Sequence, residues 1–418
     1  MKELVYIIQT PPFWLKTPPL SLTYLKFYLE KEGLRVGILD LNTLLFHSSK
    51  STTSTWLTLS SNFEKSLFEF VEDKYSQVLD DVYKKIKDAE FIGFSLLKRN
   101  TEFSLALAEK IKQRFPKKKI IFGGPQTSIL EREQKLNADC YWVIGEGERP
   151  FLDIIRNGKR RIYRFQELEN LDTLAFYDFE YLNLKNYSLH LPLFSSRGCP
   201  HKCRFCSERF LSKKFRCHSP EYMVDQIKYL KNKHKTHNFV FCDSLINYKR
   251  QWLHVFCRLL IKNNLKINWE AQIRVEKNFS LELAKLMKKS GCYNLFVGLE
   301  SASDKVLTLM DKGFDASSAL CFFNTLRRGD LHFEVSLIFG YPGEGEKEFE
   351  ETINFITKNK KIIPKIAQAN LFLDYLNNFS GKSLPENKIK KRLQSFINII
   401  DKEKIKYTKS FIGNLTYS

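Results

Sequence analysis

The sequence predicts an α/β chain of two parts in tandem: an open, doubly wound Rossmann-like sheet, then a partial (β/α)6 barrel of the TIM type. Three observations predict it. Short apolar runs alternate with stretches long enough for helices from the N-terminus to about residue 155; glycines and small polar residues collect where those runs end; and after a weakly patterned interval the alternation resumes for six more units. The 418 residues, 43% hydrophobic and 14% aromatic, are enough for two or three buried cores.

Residues 4–10, 36–42, 91–96, 119–123 and 141–145 read as buried parallel strands, each short, apolar and bounded by turn residues. Residues 20–32, 63–87, 102–115 and 128–136 read as the helices between them. Ligands of such sheets sit outside the carboxyl ends of the strands. That edge carries Thr10-Pro11-Pro12, Ser95, Gly123-Gly124-Pro125 and Gly145-Glu146-Gly147-Glu148. A tight turn explains any one of these glycines; together on one edge they favour a pocket for a large ligand. Residues 156–190 read as a linker. Beyond it, strands are expected at 193–196, 238–243, 267–274, 294–300, 333–339 and 367–372, and helices at about 219–232, 249–263, 279–289, 315–328 and 344–357. Polar residues at these strand ends are site candidates, because barrel chemistry collects there. The domain plan is therefore 1–155, a linker 156–190, a barrel 191–374, and a Lys/Asn-rich, partly helical extension 375–418 of no assigned role.

The densest chemical signal is Arg197-Gly198-Cys199-Pro200-His201-Lys202-Cys203-Arg204-Phe205-Cys206-Ser207. Three thiols within eight residues can all face one centre, as an iron–sulfur cluster requires. Zinc wants four ligands, and the nearest spare donors, His201 and His218, lie outside a zinc spacing. The remaining cysteines, at 140, 217, 242, 257, 292 and 321, stand singly and read as small buried hydrophobes. Cysteines without a dense framework fit a reducing compartment and a cytoplasmic location. No apolar run approaches the roughly 18 residues of a membrane span. A formal net charge of +20 invites a nucleic-acid partner, yet the basic residues are scattered, as at 117–119, 159–161, 231–235 and 388–392. Solvated helix faces explain them better, so nucleic acid stays open without being favoured. Gly343-Glu344-Gly345-Glu346-Lys347 lacks the order of a phosphate loop, and its glutamates would repel phosphate.

The first part resembles the cobalamin-binding domain found ahead of radical S-adenosylmethionine (SAM) domains. The likeness lies in the ordered set PPxxxxxPPLSLxYLxxYLxxxG (Pro11 to Gly33), Asp40-Leu41-Asn42, Ile92-Gly93-Phe94-Ser95, Phe122-Gly123-Gly124-Pro125 and Gly145 to Pro150. It implies that Ser95, Leu97, Gly123, Gly124, Gly145, Glu146 and Gly147 lie against cobalamin. The DxHxxG motif of cobalamin-dependent methionine synthases and mutases is absent, and His47 is the only histidine before His190. Cobalt would then lack a protein imidazole, the loop 96–100 would run under the corrin, and weaker axial donation should ease transfer of a methyl group as a radical.

The second part resembles the radical SAM superfamily, whose hallmark is CxxxCxΦC, here Cys199, Cys203, Phe205 and Cys206. The resemblance implies a [4Fe-4S] cluster on the three thiols, SAM on its open iron, and Phe205, Asp243, Arg274, Glu300 and Ser301 as SAM contacts. In the family, reductive cleavage of SAM starts radical chemistry, most often methylation of an unactivated carbon and in another branch ring contraction or cyclisation. No catalytic residue beyond these is assigned. The implied partners are a small-molecule or natural-product substrate and an electron donor such as flavodoxin or ferredoxin. An RNA methylthiotransferase would need three N-terminal cysteines, whereas only Cys140 precedes Cys199. A non-catalytic cobalamin or iron–sulfur binding protein would have no use for Asp243, Arg274 and Glu300.

Overall fold

The structure, a computed structural model, describes residues 4–49, 56, 66–187, 190–372, 374 and 385–408. The chain divides into two compact units. The first takes residues 1–192 with two later pieces, 210–217 and 229–236; the second takes 193–209, 218–228 and 237–418.

In the first unit, β1 (Val5–Gln9), β2 (Val36–Asp40), β3 (Phe91–Ser95), β4 (Lys119–Gly123), β5 (Tyr141–Ile144) and β6 (Ile162–Arg164) form one parallel sheet in the order β2-β1-β3-β4-β5-β6. The reversal of order beside β1 defines a doubly wound sheet and opens a ligand crevice at the carboxyl edge. Tyr6, Ile8, Leu39, Ile92, Phe94, Phe122 and Trp142 enter one apolar core. Their alternates Val5, Ile7, Ile38, Phe91, Ile121 and Val143 enter the other. Strands buried on both faces have no polar side to present, which is why they read as unbroken apolar runs.

The helix expected over 63–87 begins outside the described residues, and its described part is two helices, Leu67–Lys74 and Ser76–Ile86, broken at Tyr75. Ser66 and Glu69 close a capping box that fixes where the first one starts. The interval read as a linker contains β6, whose three residues are too few for an alternation to show. Helices Leu41–Ser49 and Glu148–Arg156 add to those the sequence pattern predicts.

The second sheet contains β7 (His190–Leu193), where the chain passes from the first unit to the second. After the two-residue strands β8 (Ser196–Arg197) and β9 (Arg216–Cys217) come β10 (Asn238–Phe241), β11 (Asn268–Arg274), β12 (Cys292–Glu300), β13 (Phe333–Phe339) and β14 (Ile366–Leu371). The sheet order β7-β10-β11-β12-β13-β14 follows the chain without reversal. Right-handed crossovers then place successive helices on one face, and such a sheet curls towards a barrel. Among the described residues no pairing joins β7 to β14, so the barrel is partial.

The extension supplies a helix, Glu386–Lys402, that packs on this sheet. Phe396 lies 5.0 Å from the Phe339 ring, and Arg392 Nη1 donates to Glu344 Oε2 at 3.2 Å. The chain then bridges Ile366 through Tyr407, so the open edge of β14 is partly covered rather than left as a template for pairing. Among the described residues no helix is long and apolar enough to cross a membrane.

Candidate active site

Asp243, just past β10, is buried. Its carboxylate accepts from Ser195 N–H at 3.0 Å, Ser195 Oγ at 2.8 Å and Ser196 Oγ at 2.6 Å. It therefore staples the two residues that lead into the cysteine loop. Burial pushes its acid up to about 6, against the opposing Ser195 and Ser196 bonds. An acid raised on folding stabilises the fold below its unfolded value near 3.8 and loses that contribution as pH climbs through about 6. Stability should therefore fall by on the order of 3 kcal/mol across that window. Asp40, also pushed up to about 6 by burial, has the same sign. The check is the difference between denaturation of wild type and Asp243→Asn from pH 4 to 7; a difference that does not change with pH would remove the assignment.

The cysteine loop is tied down at its middle. Arg204 N–H donates to Met310 O at 3.0 Å, and Cys206 N–H to Cys203 O at 3.1 Å. All three cysteines are free thiols, Cys203 buried and the other two half-buried. Burial raises Cys199, and pushes Cys206 up to about 11 with the other two sulfurs adding to the effect, so the three share one neighbourhood. Among the described residues no three such donors already stand in ligand geometry. Phe205 packs against Val306, Met310, Tyr341 and Phe372, an apolar wall beside the thiols.

Two cations lie near this loop. Arg274 ends β11, and Asn247 brackets its backbone: Arg274 N–H donates to Asn247 Oδ1 at 3.1 Å and Asn247 Nδ2 to Arg274 O at 3.0 Å. Among the described residues, Nη1 of Arg274 is buried without a hydrogen-bond partner. A buried guanidinium N–H with no acceptor is costly, and the arrangement suits an anion. Lys312 is buried, donates to Gly298 O at 2.9 Å, lies 3.4 Å from Glu300 Oε1, and sits 5.5 Å from the Phe205 ring centre. His201 registers the cations: burial first, then Arg274 and Lys312, push it down to about 4.

Glu300 ends β12 in the left-handed region at φ 68°, where the register with β13 shifts. Its Oε2 accepts from Ser336 Oγ at 3.0 Å. A Cβ on Gly298 would lie 2.6 Å from Glu300 Oε1, so glycine there lets the carboxylate fold back over the strand. Ser301 is buried, 3.1 Å from Thr352 Oγ1, and accepts Ser303 N–H at 3.1 Å. Its hydroxyl shapes the turn into helix Asp304–Leu309. Lys312 and Asn247 carry no signal in the sequence. Both are single polar residues in loops, with no spacing that distinguishes them from solvated neighbours.

In the first unit, Ser95, Leu97, Gly123, Gly124, Gly145, Glu146 and Gly147 lie half-buried at or just beyond the carboxyl ends of β3, β4 and β5. Buried Asn100 holds the loop after β3, accepting Leu97 N–H at 2.7 Å and donating to Ser95 O at 3.1 Å. No histidine occurs in that loop. Gly124 has φ 93°, and a Cβ there would lie 2.7 Å from Leu96 N and O. Neighbouring backbone, without any ligand, accounts for that glycine. Above Gly123 there is room: a Cβ would meet its nearest atom only at 3.9 Å. The Glu146 carboxylate is taken by Arg216 and by Leu168 N–H, which leaves backbone as what this position offers a cofactor.

A family model of the radical SAM superfamily matches residues 193–356, and one of the B12 binding domain matches residues 61–155. Together they imply a [4Fe-4S] cluster, SAM and cobalamin. An uncharacterized methyltransferase of Pyrococcus horikoshii is 26% identical, over 66% of this chain and 66% of its own. The bacteriochlorophyllide d C-12(1)-methyltransferase of Chlorobaculum tepidum is also 26% identical, over 59% of this chain and 56% of its own. The chain thus spans less than two thirds of these relatives' length. Among solved structures, the cobalamin-dependent S-adenosylmethionine radical enzyme OxsB, with aqua-cobalamin and S-adenosylmethionine bound, shares the fold at a TM-score of 0.67 and 17% identity, over 96% of this chain and 56% of that one.

Proposed function

Because the chain belongs to the radical SAM superfamily and carries a B12 binding domain ahead of its radical SAM domain, we propose that it methylates an unactivated carbon of a small molecule or natural product. The observation that carries this reading is the buried, unpartnered Nη1 of Arg274 beside a loop of three free thiols. Such a pair of features suits a cluster with an open iron and a ligand that brings a carboxylate.

Cys199, Cys203 and Cys206 would hold three irons of the [4Fe-4S] cluster and leave the fourth for SAM. Arg274 would pair with the SAM carboxylate, its backbone held for that task by Asn247. Glu300 spends one contact on each oxygen and keeps acceptor capacity for the amino group or ribose hydroxyls of SAM. Phe205, with Tyr341 and Phe372, would exclude water beside the thiols. Asp243 and Ser301 act through neighbours: the first sets the strand leading into the loop, the second the turn after β12. Gly123, without a side chain at the end of β4, would let cobalamin approach the backbone there. When bound, the cluster and SAM supply radical chemistry and cobalamin a transferable methyl group. A flavodoxin or ferredoxin would deliver the electron.

The test is anaerobic reconstitution with iron, sulfide and hydroxocobalamin, followed by SAM and a chemical reductant. We expect 5′-deoxyadenosine together with S-adenosylhomocysteine. Deoxyadenosine alone would move the reading to the non-methylating branch. Absence of both products, from protein carrying full iron, would overturn the proposal.

A further inference from the structure

Arg216 lies ten residues beyond Cys206 in sequence, in a segment that belongs to the first unit. Its side chain is 7% exposed, and those of Glu146 and Glu167 are 10% and 7% exposed. Each of its five N–H donors has an acceptor. Nε donates to Lys214 O at 3.3 Å; Nη1 donates to Glu146 Oε2 at 3.1 Å and Leu168 O at 2.7 Å; Nη2 donates to Glu146 Oε1 and to Ser212 Oγ at 3.0 Å. Glu167 closes the arrangement, 3.8 Å from Nη2 and accepting Lys213 N–H at 2.7 Å and Ser212 Oγ at 3.1 Å. A guanidinium so fully used has nothing left for a ligand. What it holds is the turn Gly145-Glu146-Gly147 that follows β5.

We infer that Arg216 is a positioning residue for cobalamin: through the bidentate bond to Glu146 it fixes the turn after β5 at the carboxyl edge where the corrin rests. The inference depends on the cobalamin reading above. The bidentate fork fixes direction as well as distance, which a lysine cannot do. The three segments it joins, 146, 167–168 and 212–214, are short loops with no sheet register of their own to hold them.

The experiment is a visible-absorption titration of the reconstituted full chain with hydroxocobalamin, alongside hydrogen exchange at the amides of residues 145–148. Arg216→Met should bind cobalamin about tenfold or more weakly, by analogy with the loss of an outer-shell partner at a metal site. Its iron content should match wild type, and exchange at 145–148 should speed up. The triple variant Arg216→Met, Glu146→Gln, Glu167→Gln carries no unpaired buried charge. It should regain thermal stability without regaining cobalamin affinity, which separates positioning from charge balance. Wild-type affinity in Arg216→Met, or recovery of affinity in the triple variant, overturns the inference. If wild type itself binds no cobalamin, the functional reading of the first unit fails, while unchanged exchange at 145–148 in Arg216→Met still refutes the positioning role independently.

Discussion

Cys203→Ala, reconstituted with iron and sulfide, is expected to lose the [4Fe-4S] absorption and to cleave SAM only at the background rate of protein-free reductant. Cys203 is the most buried of the three thiols, and the loop closes around it through the Cys206 N–H bond and the Arg204 anchor to Met310. Two remaining thiolates would have to hold four irons, and neither the introduced alanine nor a surface residue can supply a third. The Asp243 staple and the Met310 anchor do not involve the sulfur, so the loop should stay folded. Hydroxocobalamin should still bind, because its proposed contacts lie at or just beyond the carboxyl ends of β3, β4 and β5. Iron and sulfide analysis with electron paramagnetic resonance of the reduced protein checks this; four irons per chain in the variant would refute the ligand set.

The second large effect concerns Glu300 and Lys312. Glu300→Ala should destabilise the protein by about 3–5 kcal/mol, the usual consequence of leaving one member of a buried ion pair behind. In the variant, Lys312 would keep only Gly298 O, inside a site that also holds the Arg274 guanidinium near His201. Ser336 would lose its acceptor as well. Lys312→Met should cost less, since Ser336 still satisfies one oxygen of Glu300 and Met fills the space between Phe205 and Phe314. The double variant Glu300→Ala, Lys312→Met should recover most of the loss, as an apolar replacement of the pair as a whole often does. Denaturant unfolding of the four proteins forms a cycle. A Glu300→Ala loss within about 0.5 kcal/mol of zero would mean that the charges are not coupled.

Much of this was legible from the residues alone, for identifiable reasons. Strands of both sheets are buried on two faces or at a barrel wall, so 119–123 and 333–339 stand out as apolar runs and match β4 and β13 to the residue. The spacing of Cys199, Cys203 and Cys206 stands out because a cluster would need its ligands this close in sequence. Lys312 and Arg216 are not, because burial makes them distinctive and burial arises from contacts across 12 to 70 residues of chain. Glu146 illustrates the converse. Its place in a glycine-rich turn points to a ligand contact, yet its carboxylate is consumed by an arginine 70 positions away. Asp243 and Ser301 likewise occupy strand ends where ligand contacts are expected, and spend their polar atoms on neighbouring backbone and hydroxyls.

The composition of the first unit bears on how such proteins can be inherited. Its later pieces, 210–217 and 229–236, fall inside the stretch 193–356 that matches the radical SAM family. They bring Arg216 to Glu146 and Glu167, and Lys233 to buried Asp178 at 2.6 Å. A recombination event that cut the gene near codon 192 would therefore part Glu146, Glu167, Glu169, Asp178 and Glu180 from their cations, although the cut looks clean in sequence. Ancestors that exchanged the N-terminal half would have had to exchange those two short pieces as well, so the two halves are expected to share one phylogeny rather than assort independently.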